Sequence, residues 1–199
     1  MTPDALSAQP SAVPEASELV LHDRRFRLFI ERRTIAAAVE RLASAIARDY
    51  SASSSVVAVV VLKGALLFAA DLIRLLPFPV RVEFVRASSY GAGMTSSGSV
   101  HVDGRLEGLE GHDILLIEDI ADSGTTLGAI VAHLERSHPR SIAVATLLSK
   151  PSVHNNRIPL TYVGIEIEPV FVVGYGLDYN ELGRNLPDIY CVVDDGKTS

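Results

Sequence analysis

Three carboxylates follow an apolar run near the middle of the chain. Residues 114–117 are aliphatic, and Glu118, Asp119 and Asp122 come directly after them in the stretch ILLIEDIADSGTTL. Because this stretch contains no Lys or Arg, neighbouring carboxylates repel one another and lose hydration unless a ligand uses them. Two adjacent carboxylates offer acceptors to the vicinal hydroxyls of a sugar, and hard oxygens to Mg²⁺. The spacing therefore predicts a site for a diol, with a metal ion close by.

A small polar turn completes the same stretch. Residues 122–126, DSGTT, lie between a predicted strand and a predicted helix, where amide N–H groups lack helical partners. Gly124 permits close backbone approach, and the hydroxyl groups add donors, a combination typical of a phosphate cradle. Alone, this turn is also typical of an ordinary helix N-terminus with Asp122 as a cap. Beside Glu118 and Asp119 it predicts a site for a ribose 5-phosphate.

Other classes of site and partner are disfavoured by composition. The sequence contains neither G-x-x-x-x-G-K-[ST] nor a G-x-G-x-x-G that opens a helix after a strand. Cys191 is the only cysteine and the six histidines lack i, i+4 pairing, which excludes an internal disulfide and disfavours a zinc site. The net charge of -6 argues against wrapping nucleic acid. No apolar run reaches the roughly 18 residues that cross a bilayer, and no signal-peptide core precedes the domain. We therefore expect a cytoplasmic enzyme acting on small molecules.

Strands and helices alternate along the chain in a way that predicts a parallel α/β sheet. Residues 1–17 are rich in Ala, Pro and Ser and indicate a disordered tail. The polar, Gly-rich residues 88–99 predict a mobile loop. Apolar patterns predict strands over 56–62, 80–86, 114–117, 142–149, 162–167, 171–174 and 189–193. They also predict helices from Ile35 to Tyr50 with Thr34 as a possible cap, from 65 to 76 and from Thr125 to Ser137.

The central stretch closely resembles the 5-phosphoribosyl 1-pyrophosphate (PRPP) signature of type I phosphoribosyltransferases. Four further segments resemble the hypoxanthine-guanine enzymes of that family, namely VVLKGALLFAADL, RASSYGAGMTSSG, LLSK and FVVGYGLDYNELGRNLPDIYCV. Together these segments run from about Ile35 to Val193. The resemblance implies one phosphoribosyltransferase domain over 18–199, with a mainly parallel sheet flanked by helices over about 35–150. It also implies a small hood built from the segment before Ile35 and from residues after about 150.

For the PRPP site, the resemblance implies that Glu118 and Asp119 hold the ribose hydroxyls and contribute to the metal site with Asp178. It implies that the 5-phosphate is bound by Asp122, Ser123, Gly124, Thr125 and Thr126. It further implies that Asp122 faces N7 of the purine as general base. An unperturbed Asp is a weak base at neutral pH, so this group would act mainly by holding a proton as it leaves the purine. Helix capping is the alternative role for Asp122.

Two further segments carry the expected pyrophosphate contacts. The resemblance implies a pyrophosphate loop at Lys63 and Gly64 with a cis peptide between Leu62 and Lys63. Arg184 is the second implied contact, and its planar, multi-donor guanidinium suits a phosphate. This chain has Ala65 where family members often carry Gly or Ser. A surface lysine and a surface salt bridge are the alternatives for Lys63 and Arg184.

The purine contacts are also carried over from the resemblance. Lys150 would donate to O6 and so select oxopurines over adenine, whose amino group is itself a donor. Phe171 would stack on the base, with Val172 and Asp178 beside it. A solvated lysine, a core aromatic and a surface salt bridge are the respective alternatives for Lys150, Phe171 and Asp178.

The polar loop that begins near Ser89 and Tyr90 is expected to close over the reacting centre. Closure would exclude water from an oxocarbenium-like transition state. The alternative is a loop that is simply disordered. Overall, the sequence predicts a Mg²⁺-dependent purine-salvage enzyme that converts PRPP and hypoxanthine or guanine to IMP or GMP and pyrophosphate. A homodimer or homotetramer is expected, without nucleic-acid or membrane partners. A xanthine-preferring enzyme and a nucleotide-sensing regulator on the same fold are the alternatives.

Overall fold

The computed structural model describes residues 18–50, 55–89, 100–104, 106–153 and 158–193. The predicted tail at 1–17, Tyr90 and the rest of the 90–99 segment lie outside the described residues. The elements are β1 (Glu18–Leu21), β2 (Arg24–Ile30), α1 (Arg32–Asp49), β3 (Val56–Leu62), α2 (Leu66–Arg74), β4 (Val80–Ser89), β5 (Val100–Asp103), β6 (Asp113–Ala121), α3 (Thr125–Glu135), β7 (Ser141–Ser149), β8 (Tyr162–Glu166), β9 (Val172–Val173) and β10 (Ile189–Val192).

Six of these strands form the larger sheet, in the order β5-β4-β3-β6-β7-β8. All neighbours are parallel except β4 and β5, which pair antiparallel through Arg86–Ser89. The central strands β3 and β6 are buried along almost their whole length, which explains their continuous aliphatic sequences. The predicted α/β class with a mainly parallel sheet is confirmed.

Helices cover both faces of this sheet. Because successive side chains of a strand point to opposite faces, Val60 packs in the cluster formed with α1 and α2, whereas Val59 packs in the cluster formed with α3. The α1 residues predicted to face the core, including Ile35 and Ile46, are buried. Each face of the sheet therefore has its own apolar layer, and the carboxyl ends of the parallel strands share one edge.

A second, smaller sheet joins the two ends of the described chain. Its four strands pair antiparallel in the order β1-β2-β10-β9. Phe26, Val173 and Tyr190 form its buried cluster. The intervening strand β8 belongs to the larger sheet, so the chain enters the smaller sheet again only at β9. This sheet corresponds to the hood that the family resemblance implies.

The predicted helix boundaries differ from the observed ones in an informative way. Thr34 is not the cap of α1, which begins at Arg32 with Glu31 as N-cap residue and without a side-chain cap bond. Instead, the Arg32 N–H donates to Asp188 Oδ1 at 2.7 Å, and its guanidinium donates to both oxygens of the same carboxylate. A carboxylate 156 residues away therefore accepts from the first turn of α1. The helices predicted over 65–76 and 125–137 are each shorter, ending at Arg74 and Glu135.

Candidate active site

The carboxyl ends of β3, β6 and β7 bring the predicted site residues to one edge of the larger sheet. Residue Val60 of β3 is level with Ile117 of β6. Farther along β6, Ala121 is level with Ser149 of β7. The residues that follow these strands therefore lie close together, as expected for ligand sites in open parallel sheets.

Glu118 and Asp119 occupy the end of β6, where Glu118 is buried and Asp119 is half-buried. Glu118 is 6% exposed, and its Oε1 accepts the Asp119 N–H at 3.2 Å. Asp119 Oδ1 accepts the Ile120 N–H at 2.8 Å. Burial, and then the charge of Asp119, raise the pKa of Glu118 well above its usual range. Burial also raises the pKa of Asp119, while hydrogen bonds and the charge of Arg184 oppose that rise.

The 122–126 turn, predicted to bind a phosphate, leads from β6 into α3. Gly124 precedes α3 with φ 80°, in the left-handed region that glycine adopts without strain. Gly124 is the N-cap residue and has no side chain to cap the helix, while Ser123 Oγ accepts the Thr125 N–H at 3.4 Å. Ser123 Oγ donates to Thr125 Oγ1 at 3.2 Å, which keeps two hydroxyls side by side. A cavity of about 60 Å³ beside the turn is lined by Glu118, Ile120, Asp122, Ser123, Gly124, Thr126 and Leu127.

Lys150 and Asp122 form an ion pair beside this turn. Lys150 Nζ donates to Asp122 Oδ2 at 2.8 Å, and the Lys150 N–H donates to the Ala121 carbonyl at 3.0 Å. Lys150 is only 8% exposed, so it is not the solvated lysine of the alternative interpretation. One cation and one carboxylate, assigned separately to the purine, thus lie next to each other.

Gly64 lies between the acidic strand end and the segment that follows β9. The Leu62–Lys63 peptide is cis, as the resemblance implies. A Cβ atom added at Gly64 would be 2.6 Å from Asp119 Cγ and closer still to its Oδ2. On the other side, a Cβ added at Gly176 would be 3.2 Å from the Gly64 carbonyl carbon and closer to its oxygen. Without a side chain at either glycine, the residue 176 backbone packs on the residue 64 backbone, which in turn packs on Asp119.

The segment 171–184 places the remaining predicted residues above this edge. Phe171 is 44% exposed, and its ring lies 6.4 Å from Phe26 and 5.9 Å from Tyr179, so it is not a buried core aromatic. Val172 is buried in β9. Asp178 Oδ1 lies 2.6 Å from the Arg184 guanidinium, and Asp178 Oδ2 accepts the Glu181 N–H at 2.8 Å.

Two contacts of this segment were not foreseen from the sequence. Lys63 Nζ donates to Glu181 Oε2 at 2.7 Å. The turn between β1 and β2 also contacts Tyr179. The Tyr179 hydroxyl donates to Asp23 Oδ1 at 2.7 Å, and the Arg24 guanidinium lies 5.5 Å from the centre of the Tyr179 ring. Both contacts join residues more than 100 positions apart, and no local pattern signals them.

Ser89 is the last residue of β4, with its backbone level with Val100 of β5. The proposed loop beyond it lies outside the described residues.

A larger cavity, of about 710 Å³, lies between α1, α2 and residues 185–187. None of the predicted site residues lines it. In the part of the chain that the structure describes, no helix is long and apolar enough to cross a membrane.

Comparison with known proteins assigns the family. The model of the phosphoribosyl transferase domain family matches residues 30–180. This chain belongs to the phosphoribosyltransferase family. Its similarity to individual family members extends over most of the described residues. A hypoxanthine-guanine phosphoribosyltransferase from Aquifex aeolicus is 38% identical over 87% of this chain and 98% of its own. A Mycobacterium avium protein of the same name is 46% identical over 64% of each chain.

Solved structures show the same relationship. A hypoxanthine-guanine phosphoribosyltransferase from Bacillus anthracis superposes with a TM-score of 0.77. It is 38% identical, over 83% of this chain and 98% of the other. This phosphoribosyltransferase combines an α/β core with a sheet edge where acidic residues, the 122–126 turn and the cations Lys63, Lys150 and Arg184 lie.

Proposed function

We propose that this phosphoribosyltransferase transfers the 5-phosphoribosyl group from PRPP to N9 of hypoxanthine or guanine, giving IMP or GMP and pyrophosphate. The observation that carries the proposal is the Lys150–Asp122 pair beside the 122–126 turn. On a 6-oxopurine, O6 is an acceptor and the adjacent N7 carries or accepts a proton. A neighbouring donor and acceptor match that edge, whereas the amino group of adenine would face an ammonium group. The names of the similar proteins support the same substrates.

The ribose phosphate would occupy the space between the acids and the turn. The amide groups of the α3 N-terminus and the hydroxyls of Ser123, Thr125 and Thr126 would hold the 5-phosphate. Glu118 and Asp119 would accept hydrogen bonds from the two ribose hydroxyls, which compensates for the loss of hydration at these buried carboxyls. These contacts fix the anomeric carbon relative to the purine, and such positioning is a large part of catalysis by group transfer.

The purine would lie against the exposed ring of Phe171, with Val172 at the edge of the same strand. Lys150 donates to O6 and Asp122 faces N7. As N9 bonds to the anomeric carbon and the bond to pyrophosphate breaks, the proton on N7 passes to Asp122. A positioned acid–base group of this kind contributes a factor of about 10²–10⁴ in rate. Closure of the loop after Ser89 would keep water from the anomeric carbon.

The leaving pyrophosphate would contact Lys63, the Gly64 backbone and Arg184. We propose that Mg²⁺ accompanies PRPP, with Asp178 as a protein ligand and with Glu118 and Asp119 close by. Among the described residues, no three His, Cys, Asp or Glu side chains are grouped as a cage. Mg²⁺ commonly takes one or two carboxylates and completes its shell with substrate phosphates and water, and the proposal gives Asp178 that part. When bound, the ion would neutralise charge that develops on the leaving group.

An assay of nucleotide formation tests the proposal. PRPP and Mg²⁺ are combined with hypoxanthine, guanine, xanthine or adenine, and the products are separated chromatographically. We expect IMP and GMP, and no AMP. Failure to form nucleotide from any of the bases, with tight RNA binding instead, would favour a regulator on the same fold and end the enzymatic proposal. A preference for xanthine would correct the substrate alone.

We also propose a cytoplasmic homodimer or homotetramer, as the family resemblance implies. Closed symmetric assemblies are the usual form of soluble oligomers. Light scattering after size exclusion measures the mass directly, and a monomer at micromolar concentration would contradict the assembly.

A further inference from the structure

Glu181 lies against both cations that are assigned to pyrophosphate. Its Oε2 accepts from Lys63 Nζ at 2.7 Å, and the Arg184 guanidinium is 3.9 Å from the same oxygen. Lys63 follows β3 of the larger sheet, and Arg184 lies in the segment between β9 and β10 of the smaller sheet. One carboxylate oxygen of Glu181 therefore lies close to both cations, and a diphosphate bound here would contact the same two cations.

The three members of this cluster differ in how firmly they are held. Arg184 donates to the Gly176 carbonyl at 2.8 Å and contacts Asp178 at 2.6 Å, and its side chain is 28% exposed. The Glu181 side chain is 69% exposed, and Lys63 is its one close side-chain partner among the described residues. Glu181 can consequently leave the cluster at little cost, while the position of Arg184 is fixed by other contacts.

Glu181 is an anion at neutral pH, as an exposed glutamate ordinarily is. Its backbone has φ 68°, within a turn in which the preceding Asn180 also has positive φ. The turn therefore presents this side chain towards Lys63 without support from a helix or strand.

We propose that Glu181 is an internal counter-anion, which pairs with the pyrophosphate-binding cations in the empty site and is displaced when a diphosphate binds. This inference rests on the function proposed above. Binding of pyrophosphate must break the Lys63–Glu181 pair, and the displaced carboxylate remains close enough to repel the ligand. Glu181 thereby weakens pyrophosphate binding and speeds its release. If Glu181 instead served to position Lys63, its removal would have the opposite effect on affinity.

The sign of this effect is measurable with inorganic pyrophosphate as the probe. Binding to the full-length protein is followed by titration calorimetry at fixed Mg²⁺ and ionic strength, for wild type and Glu181→Gln. Exposed ion pairs have modest energies, so we expect pyrophosphate to bind about two- to fivefold more tightly to the variant. The gain should shrink at high salt, because the carboxylate is exposed. Unchanged or weaker binding would overturn the proposal.

Two companion variants sharpen the test. Glu135→Gln makes the same change of charge at the exposed far end of α3, and should leave the affinity for pyrophosphate unchanged. In a Lys63→Ala background, Glu181→Gln should gain less than in the wild type, because the displaced pair no longer exists. An equal gain in both backgrounds would assign the effect to general repulsion and overturn the counter-anion role. Pyrophosphate binding does not require turnover, so a negative nucleotide assay and a negative result here are separate outcomes.

Discussion

Replacing Gly64 by alanine should damage PRPP binding far more than folding. The new Cβ would be 2.6 Å from Asp119 Cγ, whereas ordinary contacts of this kind are at 3.4 Å or more. The nearest atoms belong to a side chain, so the carboxylate can rotate away while the backbone stays in place. Rotation breaks the hydrogen bond from the Ile120 N–H to Asp119 Oδ1, now 2.8 Å long.

The size of the effect follows from the contacts that are lost. Overpacking typically costs about 1–3 kcal/mol, and a hydrogen bond of this type contributes about 1–3 kcal/mol. Rotation of the carboxylate relieves the overpacking in exchange for the lost hydrogen bond, so the loss of unfolding free energy should be about 1–3 kcal/mol, which leaves the domain folded. Because the carboxylate of Asp119 would no longer face the ribose, the KM for PRPP should rise about ten- to hundredfold. The KM for the purine should change much less.

Steady-state kinetics and thermal unfolding test both parts of this prediction. Gly128→Ala is the matched control. Gly128 lies within helix α3, and a Cβ atom added there would be 3.9 Å from Ile158 Cγ1, an ordinary contact distance. That variant should be neutral or more stable by about 0.5–1 kcal/mol. In an Asp119→Ala background, Gly64→Ala should add little further loss of PRPP affinity. Additive losses, or an unchanged KM for PRPP in the single variant, would refute the steric coupling between Gly64 and Asp119.

Three further variants probe other contacts of the site. Gly176→Ala should unfold at a markedly lower temperature than Gly64→Ala, because its Cβ would overlap the Gly64 backbone and a φ of 103° is strained for alanine. Scanning calorimetry measures both unfolding temperatures, and equal values would contradict this expectation. Lys150→Met should raise the KM for hypoxanthine about ten- to hundredfold while the affinity for PRPP stays constant; equal losses for both substrates would remove its role in purine recognition. Glu118→Gln should stabilise the ligand-free protein at neutral pH and weaken PRPP binding. Burial raises the Glu118 pKa, so the wild type loses stability as pH rises through that raised value. Unfolding temperatures of Glu118→Gln and wild type should therefore converge at acid pH, and parallel curves would contradict the assignment.

The acidic strand end could be predicted because its physics is local. An aliphatic run followed by Glu118, Asp119 and a Gly-containing turn predicts a ligand site at a sheet edge, and the structure places these residues together there. The buried strand β3 was equally clear from its unbroken Val-rich sequence. In both cases the chemistry and its positioning lie within about a dozen consecutive residues.

The smaller sheet and its contacts were harder to predict. Strand β2 has the sequence RRFRLFI, in which only Phe26 and Ile30 are buried, so its apolar period is weak. The prediction of Thr34 as the cap of α1 is wrong. The carboxylate that accepts a hydrogen bond from the first turn belongs to Asp188, which is far along the chain. Likewise, the Lys63–Glu181 pair depends on two segments 118 residues apart. Such contacts result from the topology, and spacing within one segment does not encode them.

The pairing order of the smaller sheet has a consequence for how the protein is made. Strand β2 pairs only with β1 and β10 among the described strands, and β10 comprises residues 189–192. During translation the inner edge of β2 therefore stays unpaired until almost the whole domain has left the ribosome. Contacts of such long sequence separation slow folding. The segment that carries Phe171, Asp178 and Arg184 is anchored by that late pairing, so a nascent chain can complete the larger sheet before it completes the candidate site.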